Sequence, residues 1–215
     1  MSDNTVQFRW IVLLKENLDC LFAGDPNVFV AGDLLWYPVE GSPQIRLASD
    51  VMVVVGRPKG DRGSYRQWEE ANVVPQVVVE ILSPGNTAKE MAKKQQFYDR
   101  YGVEEYYIYD PDVNDLTIFC RQEGRLEIID IADWQSPRLG IRFLLTAEAM
   151  EVYYPDGRQF LTSIELSERA NREAERANRE AERADRETER ANREAAKVDL
   201  LTAQLRALGI EPDIL

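Results

Sequence analysis

The 215-residue chain contains no histidine. That gap removes Ser-His-Asp and Cys-His nucleophilic catalysis, histidine-ligated zinc and histidine general bases. Any chemistry must come from carboxylates, lysine, tyrosine or water activated by a metal ion. Cysteine is scarce: Cys20 and Cys120 fall in a helix pattern and a strand pattern, far apart and without metal-site spacing. They read as buried thiols of a reducing compartment, and the chain as cytoplasmic. No apolar run reaches membrane-spanning length, and Met1-Ser2-Asp3-Asn4 lacks the basic start of a secretory signal. Positive charge is also short, with a formal net charge of −12. Phosphate affinity comes mainly from Lys and Arg, so the body as a whole is a poor nonspecific polyanion binder.

What the chain does have divides into two compositions. Residues 1–162 mix aromatics, β-branched residues, Pro and Gly, as a globular domain does. Residues 163–215 carry a heptad: the seven residues from Glu168 to Ala174 recur at 175–181, nearly at 182–188, and again at 189–195. Alanines at 170, 174, 177, 181, 184, 191 and 195 form a narrow seam, which Val198, Leu201, Leu205 and Leu208 continue. Glu precedes Arg by four at Glu168/Arg172, Glu175/Arg179, Glu182/Arg186 and Glu189/Arg193, the favourable order on a solvated helix. Two readings stand level, a charged helix that projects freely and a coiled coil that makes a homo-oligomer. Thr162 to Glu165 resembles a capping box opening this helix, and Gly209 and Pro212 should close it.

In the body, a helix is expected over 8–22, with Trp10, Ile11, Leu14, Leu18 and Leu21 on one stripe. Strands are expected at 28–30, 34–37, 50–55 and 77–82, a helix at 88–101, and strands at 106–109, 116–120 and 126–131. The fold class is α/β or α+β, a mixed sheet flanked by helices with a crossover through 88–101.

Glu80 interrupts the apolar run Val77-Val78-Val79-Glu80-Ile81-Leu82. A buried, unpartnered carboxylate costs several kcal/mol, so Glu80 must meet a lysine, an arginine or a metal ion. Asp50 stands at the entry to the apolar strand 51–55, at a sheet rim, where the plainer reading is a turn residue. On the helix at 88–101, Phe97, Tyr98, Tyr101 and Met91 span an arc from about 240° to 360°, and Lys94 falls inside it at about 300°. Lys94 either snorkels to water or meets Glu80 or Asp50 beneath the helix. Asp, Glu and Lys at one rim make the parts list for metal-dependent phosphodiester hydrolysis. Arg57, Lys59, Arg62 and Arg66 cluster in the intervening loop, with only Asp61 opposing them within it. That local excess suits DNA phosphates, and a solvated loop suits it equally.

These motifs, followed in order by Lys94-Gln95-Gln96-Phe97-Tyr98, Gly102-Val103, Tyr109-Asp110-Pro111 and Leu139-Gly140-Ile141, resemble the Uma endonuclease family over most of residues 8–145. That family belongs to the restriction-endonuclease-like, PD-(D/E)XK superfamily. The resemblance implies a restriction-endonuclease-like fold and a DNA endonuclease using Mg²⁺ or Mn²⁺. It implies metal ligands Asp50 and Glu80, with Lys94 as the catalytic lysine moved onto the following helix. The chain departs from the pattern at Ser49, which replaces the motif proline, and at Leu82, which occupies the usual lysine position. It also lacks the Tyr-Glu-Leu-Ile-Asp-Gly-like segment of many members. Glu16 is a further acidic candidate on the first helix. The rival reading is a nuclease-fold binding module, weak or inactive, that acts through its C-terminal helix.

Overall fold

The computed structural model describes residues 5–207. The chain forms two compact units that divide after Thr162.

The first unit is built on a seven-stranded mixed sheet. Helix α1 (Thr5–Leu21) leads into β1 (Val28–Tyr37) and β2 (Leu47–Val55). A short β3 (Tyr65–Arg66) and a single 3₁₀ turn follow, then β4 (Val77–Ile81), α2 (Ala88–Tyr101) and β5 (Glu105–Asp110). Strands β6 (Asp115–Gln122) and β7 (Arg125–Ile129) complete the sheet, in the order β3-β1-β2-β4-β5-β6-β7. The β4–β5 pair is parallel and joined by α2, whereas β2–β4 and β5–β6–β7 are antiparallel.

Local chemistry accounts for the boundaries. Thr87 and Glu90 form a reciprocal capping box at the start of α2, and Gly102 ends it in the left-handed region at φ 90°. The β6–β7 hairpin turns through Glu123 and Gly124, both at positive φ, as a two-residue type I′ turn requires.

Alternation along the strands fills two cores, one on each face of the sheet. Leu14 and Leu18 of α1 pack with Val51, Val53, Val79 and Ile81 on one face. The opposite face joins Tyr98 of α2 to Trp36, Met52, Val54, Val78 and Tyr106.

Several expectations need correction. The strands expected at 28–30 and 34–37 are one strand. Gly32 and Asp33 look like a turn, yet Gly32 pairs with Val51 and Leu34 with Ser49 in unbroken register, Asp33 taking a left-handed φ of 47°. A second, three-stranded sheet of β8 (Asp133–Gln135), β9 (Arg142–Leu145) and β10 (Met150–Tyr153) had no counterpart among the expected elements. Its Phe143, Met150 and Val152 join the α1-side core. Cys20 is exposed and Cys120 half-buried, and both are free thiols, so the buried pair is overturned.

The second unit contains α3 (Ser163–Ala207), 45 residues long and without a buried side chain. Its arginines pair with glutamates in both directions, Arg169 with Glu173 at 3.0 Å and Arg193 with Glu189 at 3.3 Å. The expected stop at Gly209 and Pro212 lies outside the described residues. Among the described residues, no helix is long and apolar enough to cross a membrane.

Candidate active site

The register pairing Val51 with Val79 and Val53 with Val77 places Asp50 opposite Glu80 when extended by one residue. Both point to the α2 side, as side chains two positions from Met52 and Val78 must. Every residue of β4 is buried, Glu80 to 1% exposure. Helix α2 runs above, and Lys94 and Tyr98, one turn apart, reach down to the same carboxylate. Lys94 Nζ donates to Oε2 of Glu80 at 2.6 Å, and the Tyr98 hydroxyl donates to Oε1 at 2.6 Å. The spacing of four residues makes this two-point grip possible.

Asp50 is held from a different direction. Its Oδ2 accepts the Ile81 N–H at 2.7 Å and, more weakly, Gln7 Nε2 at 3.5 Å. Gln7, on α1, also donates to the Ile81 carbonyl at 2.7 Å. Asp50, Glu80, Lys94 and Gln7 therefore meet around the C-terminal end of β4.

Desolvation dominates the electrostatics. Burial pushes the Glu80 carboxyl up to about 7; the Lys94 ammonium pulls it down and the Asp50 charge pushes it up again. Burial raises Asp50 as well, opposed by the Ile81 N–H, Lys94 and Gln7, and reinforced by Asp33. Two acids that resist ionisation face one another, and the Lys94 ammonium bears on both. A divalent cation would relieve that frustration.

The oxygen donors fit a hard cation such as Mg²⁺. Among the described residues Oδ1 of Asp50 accepts no hydrogen bond, and the Ile81 carbonyl keeps a second lone pair beyond its bond to Gln7. No group of three or more His, Cys, Asp or Glu side chains is gathered among the described residues. A metal here would rest on two carboxylates, with backbone or water completing the sphere.

Glu16 is exposed on α1 and bonds to none of these residues. Leu82 carries no charge to the site; its N–H bonds to the Tyr109 carbonyl at 2.8 Å, and the amine on Glu80 comes from α2. Gln7 was not among the expected site residues, although it sits three, four and seven residues before Trp10, Ile11 and Leu14, on the same stripe. A polar residue on an apolar stripe is the signal that was there. Tyr98 was expected in the core, with no role for its hydroxyl.

The basic loop is less free than its sequence indicates. Arg57 and Arg62 both bond to Glu70, at 2.8 and 2.6 Å, and Arg66 pairs with Glu69 at 3.1 Å. Lys59 Nζ donates to the Phe22 carbonyl at 2.7 Å. Asp61 is therefore not the sole opposing charge: Glu69 and Glu70, just beyond the loop, pair with three of the four cations. Arg62 additionally lies over the Phe29 ring at 3.9 Å.

A mixed sheet with a parallel crossover, and with an acid pair and a lysine at the end of the crossover strand, defines a restriction-endonuclease-like protein. The chain belongs to the Uma2 family, described as "Putative restriction endonuclease", whose model matches residues 4–148. No curated protein matches. Among solved structures, the chain is similar to one titled as a "putative nuclease belonging to DUF820" from Anabaena variabilis. The two are 15% identical over 60% of this chain and 70% of that one, with a TM-score of 0.43.

Proposed function

We propose that the chain is a metal-dependent endonuclease that hydrolyses phosphodiester bonds of DNA. The carrying observation is the opposition of Asp50 and Glu80 across β2 and β4, with Lys94 Nζ 2.6 Å from Glu80. Asp50 and Glu80 would hold Mg²⁺ or Mn²⁺. When bound, the cation supplies positive charge for the phosphate and lowers the pKa of a water. Lys94 either orients the attacking water or stabilises the phosphate oxyanion. The water oxygen forms a bond to phosphorus as the bond to the leaving sugar oxygen breaks. That oxygen takes up a proton, and the proton lost by the water passes to solvent. Arg57, Lys59, Arg62 and Arg66 are the candidate DNA contacts, once the duplex phosphates compete with Glu69 and Glu70. The two free thiols suit a reducing, cytoplasmic setting.

Purified protein with Mg²⁺ or Mn²⁺ should nick plasmid DNA, and Glu80→Ala should abolish nicking. Equal activity in the two proteins would remove the catalytic assignment.

A second reading is favoured by Leu82 at the usual lysine position and by the pairing of three loop arginines with Glu69 and Glu70. In it the domain is a nuclease-fold binding module, and α3 carries the interaction or a homo-oligomer. Calorimetry with Mn²⁺ separates the two: heat that disappears in Asp50→Ala and Glu80→Ala belongs to the nuclease, and no such heat to the module.

A further inference from the structure

Each oxygen of Glu80 has its own partner, and the two partners differ in kind. The Lys94 ammonium on Oε2 sits at the end of a flexible chain and also favours the ionised form of Asp50. The Tyr98 hydroxyl on Oε1 belongs to a side chain with no exposure to solvent.

The Tyr98 ring is packed among three other rings. Trp36 lies parallel to it at 6.4 Å, Phe97 meets it edge-on at 5.8 Å, and Tyr106 tilts against it at 4.8 Å. Its backbone is fixed as well. The Tyr98 carbonyl accepts the Val103 N–H at 3.0 Å, closing the helix. Arg121 of β6 then clasps that end, donating to the Asp99 carbonyl at 2.7 Å and the Val103 carbonyl at 2.8 Å. The phenol oxygen is consequently one of the most tightly placed polar atoms near the acid pair.

Tyr106 supplies the contrast. It is equally buried, packs against Tyr98, and presents a hydroxyl with no hydrogen-bond partner among the described residues. Two neighbouring phenols thus share one apolar cage, and only one of them holds the carboxylate.

We propose that Tyr98 is a positioning residue of the metal site: its hydroxyl holds Oε1 of Glu80 and so fixes the orientation of the carboxylate that a divalent cation would meet. The inference rests on the metal-dependent reading and adds a residue to it. A partner that orients a ligating carboxylate commonly contributes about 10–100-fold to metal affinity. Tyr98→Phe keeps the ring and its packing and removes only the oxygen, leaving the Glu80 carboxylate held at Oε2 alone, by the flexible Lys94 chain.

The test is Mn²⁺ titration of the full chain by calorimetry, comparing wild type, Asp50→Ala, Tyr98→Phe and Tyr106→Phe. Cooperative thermal unfolding of each variant serves as the folding control. Tyr98→Phe should bind Mn²⁺ about 10–100-fold more weakly, with Tyr106→Phe within about twofold of wild type, because its hydroxyl holds nothing. If Tyr98→Phe binds like wild type, or Tyr106→Phe weakens binding equally, the positioning role falls while the nuclease reading stands. If wild type shows no Asp50-dependent binding, the metal site and the positioning role fall together.

Discussion

Gln7 Nε2 donates to the Ile81 carbonyl at 2.7 Å, a bond that ties the start of α1 to the last residue of β4 across 74 positions of sequence. It fixes the backbone beside both acids, because the Ile81 N–H is itself bound to Asp50. Gln7→Ala would leave that buried carbonyl without its donor. Losing one partner of a buried hydrogen bond costs roughly 1–3 kcal/mol. Urea unfolding should show a loss of that size, and Mn²⁺ affinity should fall with it. An unchanged midpoint would mean that water replaces Gln7 without cost.

The Lys94–Glu80 pair allows a sharper stability experiment. Lys94→Met strands a buried carboxylate with only Tyr98 to hold it, and removing one partner of a buried pair costs ~3–5 kcal/mol. The loss here should lie at the lower end, since the Lys94 side chain keeps 21% of its exposure. Changing both residues to Met removes the stranded charge, so the double variant should recover most of the stability while losing nicking. A double-mutant cycle by chemical denaturation reads this directly. Additive losses would show that the two groups do not depend on one another.

Much of this site was legible because charge is conspicuous in apolar company. Glu80 stands alone in a run of Val, Ile and Leu, and Lys94 interrupts an aromatic stripe. Each required a partner, and the fold makes them partners of one another. Gln7 lies on an equally clear stripe but is uncharged, so its burial carried no comparable penalty to attract notice. The Tyr98 hydroxyl hid inside an aromatic that packing alone would justify. The second sheet was missed because three- and four-residue strands are too short for alternation to register. The pairing within the basic loop was not legible for another reason: ion pairing follows space, and Glu70 lies outside the Arg-rich segment whose Arg57 and Arg62 it holds.

Acidity gives a prediction with a definite sign. Glu80 is pushed from an ordinary 4.5 to about 7, mainly by burial. Between those values the folded chain holds a proton that the unfolded chain has released. Stability from this group is therefore complete below about pH 4.5 and declines as the pH rises through 7. Glu80→Gln lacks that slope. Asp50 is raised too and slopes the same way in both proteins. In urea unfolding at pH 5 and pH 8, the variant should gain on wild type at the higher pH. Parallel pH profiles would mean that Glu80 titrates alike in the folded and unfolded chains.

Glu70 controls how many cations the basic loop can offer. It holds Arg57 and Arg62 at once, and those arginines depress its own carboxyl below the usual range. Glu70→Gln should leave both guanidinium groups without their counter-charge, Arg62 keeping its bonds to the Pro58 and Gly60 carbonyls at 2.8 and 3.1 Å. Each further phosphate that a cation neutralises adds about 0.9 to the slope of log affinity against log salt on duplex DNA. Two arginines without a counter-charge should therefore steepen the slope by up to about two and tighten binding at low salt. A variant whose DNA affinity and salt slope match wild type would exclude Arg57 and Arg62 as DNA-binding groups.

Helix α3 decides between a projecting helix and an oligomer on electrostatic grounds. The alanine seam at 170, 174, 177, 181, 184, 191 and 195 is bordered along one edge by Glu173, Glu180, Glu187 and Glu194. The other edge carries Asn171, Asn178, Asp185 and Asn192, so two copies laid seam to seam would bring acid against acid or amide. The arginines are engaged within the helix, Arg183 with Glu187 and Arg190 with Glu194, each at 3.1 Å. Such pairs contribute ~0.2–0.5 kcal/mol each to an isolated helix. Alanine, by contrast, buries too little area to overcome the repulsion at the edges. Analytical ultracentrifugation in about 0.1 M salt, where the screening length is roughly 10 Å, should give the mass of a single chain. Raising salt to about 1 M shortens that length to roughly 3 Å, which weakens the ladder. Helical ellipticity of the full chain should then drop, and a variant ending at Ser163 should show no such drop. A dimer mass at low salt that reverts to monomer on that truncation would make α3 an oligomerising element after all.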